Sequence, residues 1–197
     1  DILNKDFSYV NEYNIFGHQI IDSRGNPTLE VQCIRFDNNK TLGKGSSPSG
    51  ASCGSTEVCE LRDGEKTMFH GKSVYGAVEM VSELNKKMVL NQNTICDLIK
   101  CDQMFNDLDK TEMKTKFGGN TSTALSFCML NTAANLLDME MYQYISEHYG
   151  FIISNNLPTP LVNIINGGKH GVTEDLKIQE FMIFARSNLC PTLQAVS

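Results

Sequence analysis

Apolar and polar positions alternate over residues 28–36: Leu29, Val31 and Cys33 fall on one face, Thr28, Glu30 and Gln32 on the other. A period of two is that of a strand with one buried side. Residues 15–21 read as a shorter strand before it, Asp37, Asn38 and Asn39 supply a turn, and residues 40–45 return as a third strand. The expected product is an antiparallel meander. Residues 46–55 that follow are almost all small and have little bulk to bury, which marks a loop.

From Lys72 the period becomes helical. Val74, Ala77, Val78, Val81 and Leu84 form one stripe, and Ile95, Leu98, Ile99 and Phe105 form another over residues 94–108. After a break at Gly118-Gly119-Asn120, one long helical run is predicted from Ser122 to about residue 148, with Leu125, Met129, Ala133, Leu136 and Tyr144 near one face. Ala124, Ala133 and Ala134 permit close contact there, and Met129, Met139 and Met141 read as core filler. Gly150 suits the end of that helix. Residues 152–160 form a linker, residues 161–165 and 178–184 are short apolar strands, and residues 187–197 read as a turn and the start of a helix. The pattern thus predicts an α+β domain over residues 1–150, a three-stranded meander plus helices, followed in residues 151–197 by the beginning of something new. Strands buried on both faces need neighbours on both sides, and a full α/β barrel takes roughly 250 residues.

Composition narrows the function. Of 197 residues, 41 % are apolar, enough for an ordinary core. The net charge of -6 argues against nucleic acid as the main partner, since phosphate needs a basic face, yet it leaves room for a small anionic substrate. No apolar run reaches the length of a membrane span, and residues 1–13 do not resemble a secretory leader. Seven cysteines, odd in number and without a Cys-x-x-Cys pair, predict free thiols in a reducing compartment, by default the cytoplasm. A zinc site from Cys96, Cys101 and His70 lacks the tight pair from which such sites usually start.

Four clusters could carry chemistry. Asp22-Ser23-Arg24-Gly25-Asn26-Pro27 reads as a tight turn, with Asp22 and Asn26 capping backbone donors and Arg24 available for an ion pair. Ser49-Gly50-Ala51-Ser52 combines a glycine, which lets backbone approach a ligand, with hydroxyls that suit a hard cation or a phosphate oxygen; it is not a nucleotide-binding P-loop. Asn166-Gly167-Gly168-Lys169-His170-Gly171 runs out of a strand into a histidine able to trade protons near neutral pH. Gln179-Glu180 places a carboxylate inside an apolar strand, where burial is costly without partners and where a general acid is well served.

These clusters, in this order, resemble the enolase family. The likeness rests on residues 22–31 (Asp-Ser-Arg-Gly-Asn-Pro-Thr-Leu-Glu-Val), on Pro48-Ser49-Gly50-Ala51-Ser52, on Glu57 with Glu60-Leu61-Arg62-Asp63, and on Gly71-Lys72-Ser73-Val74. It continues through Leu157-Pro158-Thr159-Pro160, Asn163-Ile164-Ile165-Asn166-Gly167-Gly168 with His170, and Gln179-Glu180-Phe181-Met182-Ile183. The resemblance implies a capping domain followed by the first two strands of an enolase-type α/β barrel with an atypical start. It implies reversible dehydration of 2-phosphoglycerate to phosphoenolpyruvate, with two Mg²⁺ ions stabilising a doubly charged intermediate. Ser52 is then a metal ligand, His170 contacts the substrate, and Glu180, with Gln179 beside it, belongs to the acidic pair that assists loss of the hydroxyl. A homodimer is also implied. The family's principal metal carboxylates, base lysine and phosphate-binding arginine match nothing in these residues, so the chain alone is expected to be inactive. The alternatives are a non-catalytic enolase-like structural or interaction subunit and a split enzyme completed by a second polypeptide. The chain departs from the family at Cys53 (threonine there), at Phe117-Gly118-Gly119-Asn120-Thr121 (Leu-Gly-Ala-Asn-Ala), and at Lys169 (serine) and Gly171-Val172 (Ala-Gly) around the histidine.

Overall fold

A computed structural model of the chain describes residues 12–50, 54–154, 156, 158–168 and 176–184. They divide between two compact units, Asp1–Ser49 with Ser55–Tyr149, and Gly50–Gly54 with Gly150–Ser197.

The first unit opens with the expected meander. β1 (Tyr13–Ile21), β2 (Pro27–Arg35) and β3 (Thr41–Ser46) pair antiparallel in chain order, from Tyr13 opposite Arg35 to Ile21 opposite Pro27, and from Glu30 opposite Ser46 to Ile34 opposite Thr41. Leu29, Val31 and Cys33 are fully buried, as the alternation predicts; each such aliphatic side chain contributes about 1.5–3 kcal/mol. Thr28, on the polar side of that alternation, is buried too, because its hydroxyl donates to Ser47 O at 2.5 Å.

Five α-helices follow among the described residues, α1 (Tyr75–Lys87), α2 (Gln92–Ile95), α3 (Leu98–Leu108), α4 (Gly119–Leu136) and α5 (Met141–Tyr149); α1 and α4 pack on the sheet, and α2, α3 and α5 pack against α4. α1 buries Ala77, Val81 and Leu84. Residues 94–108 are not one helix. Asn91 caps α2 by accepting from Thr94 N, and Asp97 caps α3 by accepting from Lys100 N, so the chain restarts between them. α3 then buries Leu98, Cys101 and Phe105 and leaves Ile99 exposed.

The long run after Gly118 is also two helices. α4 closes with both bonds of a Schellman motif: Met139 N–H donates to Ala134 O at 2.9 Å and Asp138 N–H to Asn135 O at 3.4 Å. Asp138 takes the left-handed conformation this requires, with φ 54°. Met129 is in the core and Met139 packs against it, but Met141, beyond the break, is 46 % exposed and fills no core.

Sheet and helix meet most closely where β3 lies on α4. A Cβ at Gly43 would overlap Thr132, and one at Gly45 would overlap Ala124 O, so only glycine allows this approach. α4 also covers the outer edge of β3: Asn131 Nδ2 donates to Lys44 O at 3.2 Å and Asn135 Nδ2 to Leu42 O at 2.5 Å.

In the second unit, β4 (Val162–Asn166) and β5 (Glu180–Ile183) pair antiparallel, with Val162 opposite Ile183 and Asn166 opposite Glu180. Ordinary α/β barrels are built from parallel strands, so this pair is an atypical barrel start. Ile164, Ile165, Phe181 and Met182 are exposed on it. The helix expected over residues 187–197 lies outside the described residues. Among the described residues, no helix is long and apolar enough to cross a membrane.

Candidate functional site

The turn between β1 and β2 forms as its sequence dictates. Asp22 Oδ1 accepts from Arg24 N at 2.9 Å and from Asn26 N at 2.8 Å, and Gly25 takes φ 77°. Asn26 does not cap a backbone donor with its side chain as expected; its Oδ1 accepts from Lys72 Nζ at 2.8 Å. The Asn26 N–H, followed by that of Arg24, the Ser49 hydroxyl and the Arg24 charge, holds the Asp22 carboxyl below its ordinary range. Arg24 Nη1 donates to Ser49 O at 3.2 Å.

Ser49 is therefore gripped at both its backbone and its side chain, and the second grip comes from Arg62. All five guanidinium donors of Arg62 are used: Nη1 to Pro27 O and Lys72 O, each at 2.6 Å, Nη2 to Ser49 Oγ at 3.3 Å, and Nε and Nη2 to Glu60 Oε2 at 2.9 and 2.7 Å. A lysine has neither the fork nor the donor count to replace it. Its neighbours are fixed in turn. The buried Asn120 side chain accepts from Leu61 N at 2.9 Å and donates to Leu61 O at 3.0 Å. Asp63 caps α1 from outside the helix, accepting from Tyr75 N at 2.9 Å and Gly76 N at 2.8 Å. Residues 22–27, 49, 60–63 and 72, from four separate motifs, thus form one node at the root of the Ser49-Gly50-Ala51-Ser52 segment. Ser52 itself lies outside the described residues.

The second unit carries its own cluster of motif residues, on the β4–β5 pair. Asn163 Nδ2 donates to Asn166 Oδ1 at 2.5 Å, Gly167 N–H donates to Gln179 O at 2.7 Å, and Gly168 N–H donates to Leu176 O at 2.7 Å. A Cβ at Gly167 would overlap Ile178 O, and Gly168 has φ 56°, so the double glycine is needed to lay this turn against residues 176–179. The structure brings the Asn166-Gly167-Gly168 motif beside Gln179-Glu180. Glu180 is half-buried and Gln179 is exposed. His170 and Lys169 lie outside the described residues.

Residues 13–145 match the family described as "Enolase, N-terminal domain", which is well over half of the chain. The chain belongs to the enolase family. Residues 154–192 match "Enolase, C-terminal TIM barrel domain". Arg62, Asp63, Lys72 and Asn120 did not stand out as site residues from spacing alone; the signal available was that Glu60-Leu61-Arg62-Asp63 and Gly71-Lys72 recur as family motifs.

Among the described residues, no three or more His, Cys, Asp or Glu side chains are grouped closely enough to hold a metal ion. The described residues by themselves therefore do not fit Mg²⁺. Cys33, Cys59, Cys96, Cys101 and Cys128 are free thiols. Burial pushes Cys33 up to about 11, Cys101 up to about 12 and Cys128 up as well, so these three are packing groups and not nucleophiles.

Proposed function

We propose that this chain carries the capping domain and the first barrel strands of an enzyme that dehydrates 2-phosphoglycerate, a small phosphorylated anion, and that its 197 residues alone do not turn it over. The observation that carries the reading is the succession of both enolase domain matches along one chain, residues 13–145 and then 154–192. The node around Arg62 supports it, because it fixes the root of the segment that leads to Ser52. In this reading Ser52 is one ligand of Mg²⁺, with the carboxylate ligands supplied by the remainder of the barrel. His170 contacts the substrate, and Glu180, with Gln179 beside it, assists departure of the hydroxyl. The remainder of the barrel belongs to the same polypeptide or to a completing partner, and the intact protein is a homo-oligomer. The free thiols agree with a reducing compartment, the cytoplasm. The domains divide at about residue 150, where Gly150 has φ 68° after the last turn of α5.

The test is Glu180→Gln in the protein with its complete barrel, followed by the ultraviolet absorbance of the enol product in the presence of Mg²⁺. Loss of a proton-transferring carboxyl lowers turnover by roughly 10²–10⁴-fold. Unchanged turnover would remove Glu180 from the machinery. A complete barrel that never acts on 2-phosphoglycerate would favour the non-catalytic subunit instead.

A further inference from the structure

α3 and α4 do not pack closely along their whole length. Between them lies a cleft of about 390 Å³, lined by Asp102, Phe105, Asn106, Lys114, Ser122, Thr123, Ser126 and Phe127. It lies wholly within the first unit and shares no residue with the node around Arg62. Its volume is within the range of small-molecule sites, which begins at about 300 Å³.

We propose that this cleft binds a small zwitterion with an apolar side chain, of the class of a free α-amino acid. The lining contains one carboxylate, Asp102, and one ammonium, Lys114, so it presents one charge of each sign and is neutral in sum. Each keeps unused bonding capacity among the described residues. Asp102 Oδ1 accepts only a long 3.3 Å bond from Ser126 Oγ, and Oδ2 accepts none. Lys114 Nζ donates to Asn106 Oδ1 at 2.8 Å and to Asp109 O at 2.9 Å, which occupies two of its three protons and holds the side chain in place. The Thr123 hydroxyl has no partner among the described residues. A ligand ammonium is matched by Asp102, and a ligand carboxylate by Lys114 and Thr123.

The apolar part of the lining decides between a zwitterion and a sugar-like polyol. Phe105 is buried beneath the cleft, whereas Phe127 stands 47 % exposed at its side on the outer face of α4. An exposed phenylalanine flanking a charged pair is what an apolar side chain attached to a zwitterionic head would cover. Ser122, whose hydroxyl donates to Gly118 O and Gly119 O, has only acceptor capacity left for a ligand.

The probe is L-phenylalanine, titrated into the full 197-residue chain and followed by saturation-transfer NMR. The small contact area predicts saturable binding with a dissociation constant in the millimolar range. N-acetyl-phenylalanine and phenylalaninamide, each lacking one charge, bind roughly tenfold or more weakly. Asp102→Asn, at an exposed position, weakens the parent ligand to the same degree with no change in the thermal melt. Phe127→Ala, which leaves both charges in place, weakens L-phenylalanine but not glycine. Absence of saturable binding, binding of either blocked derivative as tight as that of L-phenylalanine, or binding unaffected by Asp102→Asn would each overturn the proposal. So would Asp102-dependent binding of glucose in place of the amino acid.

Discussion

Thr121 lies in the first turn of α4 with no exposed surface, and its Oγ1 has no partner among the described residues. The family carries alanine at this position, so the hydroxyl is an addition whose desolvation is not offset. Thr121→Val keeps the shape and removes the orphan, and is expected to stabilise the chain by about 1 kcal/mol. A lower melting temperature would mean that the hydroxyl has found a partner. Asp109 shows the opposite balance. Burial pushes its carboxyl up, but bonds from Thr111 Oγ1 and from Thr111, Phe117 and Lys116 N–H outweigh this and leave it below the ordinary carboxylate value. A depressed folded-state pKa contributes stability that is complete above the unfolded value of about 3.9 and is lost as pH falls through the folded value. Asp109→Asn should therefore cost about 2 kcal/mol at neutral pH. Its melting-temperature deficit should narrow as the pH drops below about 4. A deficit that stays constant from neutral pH into acid would contradict this account of the loop at residues 109–117.

At the scale of elements, the meander and the stripes of α1 and α4 were legible because one periodicity governs each of them. The breaks were not. Apolar residues continue at helical spacing through Met139, Met141 and Tyr144, which concealed a stop that depends on one residue, Asp138, turning left-handed. The same holds for Asp97, whose capping bond to Lys100 N begins α3 just after α2 has ended at Ile95. Asp138→Gly supplies the residue that the left-handed position prefers. The relief of strain exceeds the added freedom of the unfolded chain, so a gain of about 0.5 kcal/mol is expected in thermal denaturation. A loss of that size would show that the aspartate side chain, and not the backbone turn, holds the junction between α4 and α5. The candidate site divides in the same way. Its motifs could be read along the chain, yet Arg62 gains its importance from carbonyls at Pro27 and Lys72 and a hydroxyl at Ser49, a convergence that linear spacing does not reveal.

At the scale of the molecule, one unit has a continuous buried core, from Ile15 and Leu29 on the sheet to Leu125 and Met129 on α4, and the other presents a strand pair whose apolar side chains remain exposed. Electrostatic stabilisation of a doubly charged intermediate requires groups fixed before the reaction begins. Arg62 fixes Ser49, but around Glu180 the described residues supply only a hydrogen-bonded turn and one carboxylate. The most direct test is a Mg²⁺-dependent assay of the purified 197-residue chain with 2-phosphoglycerate, monitored for the enol product. The account predicts a rate indistinguishable from buffer. Sustained turnover that scales with the concentration of this chain would contradict it.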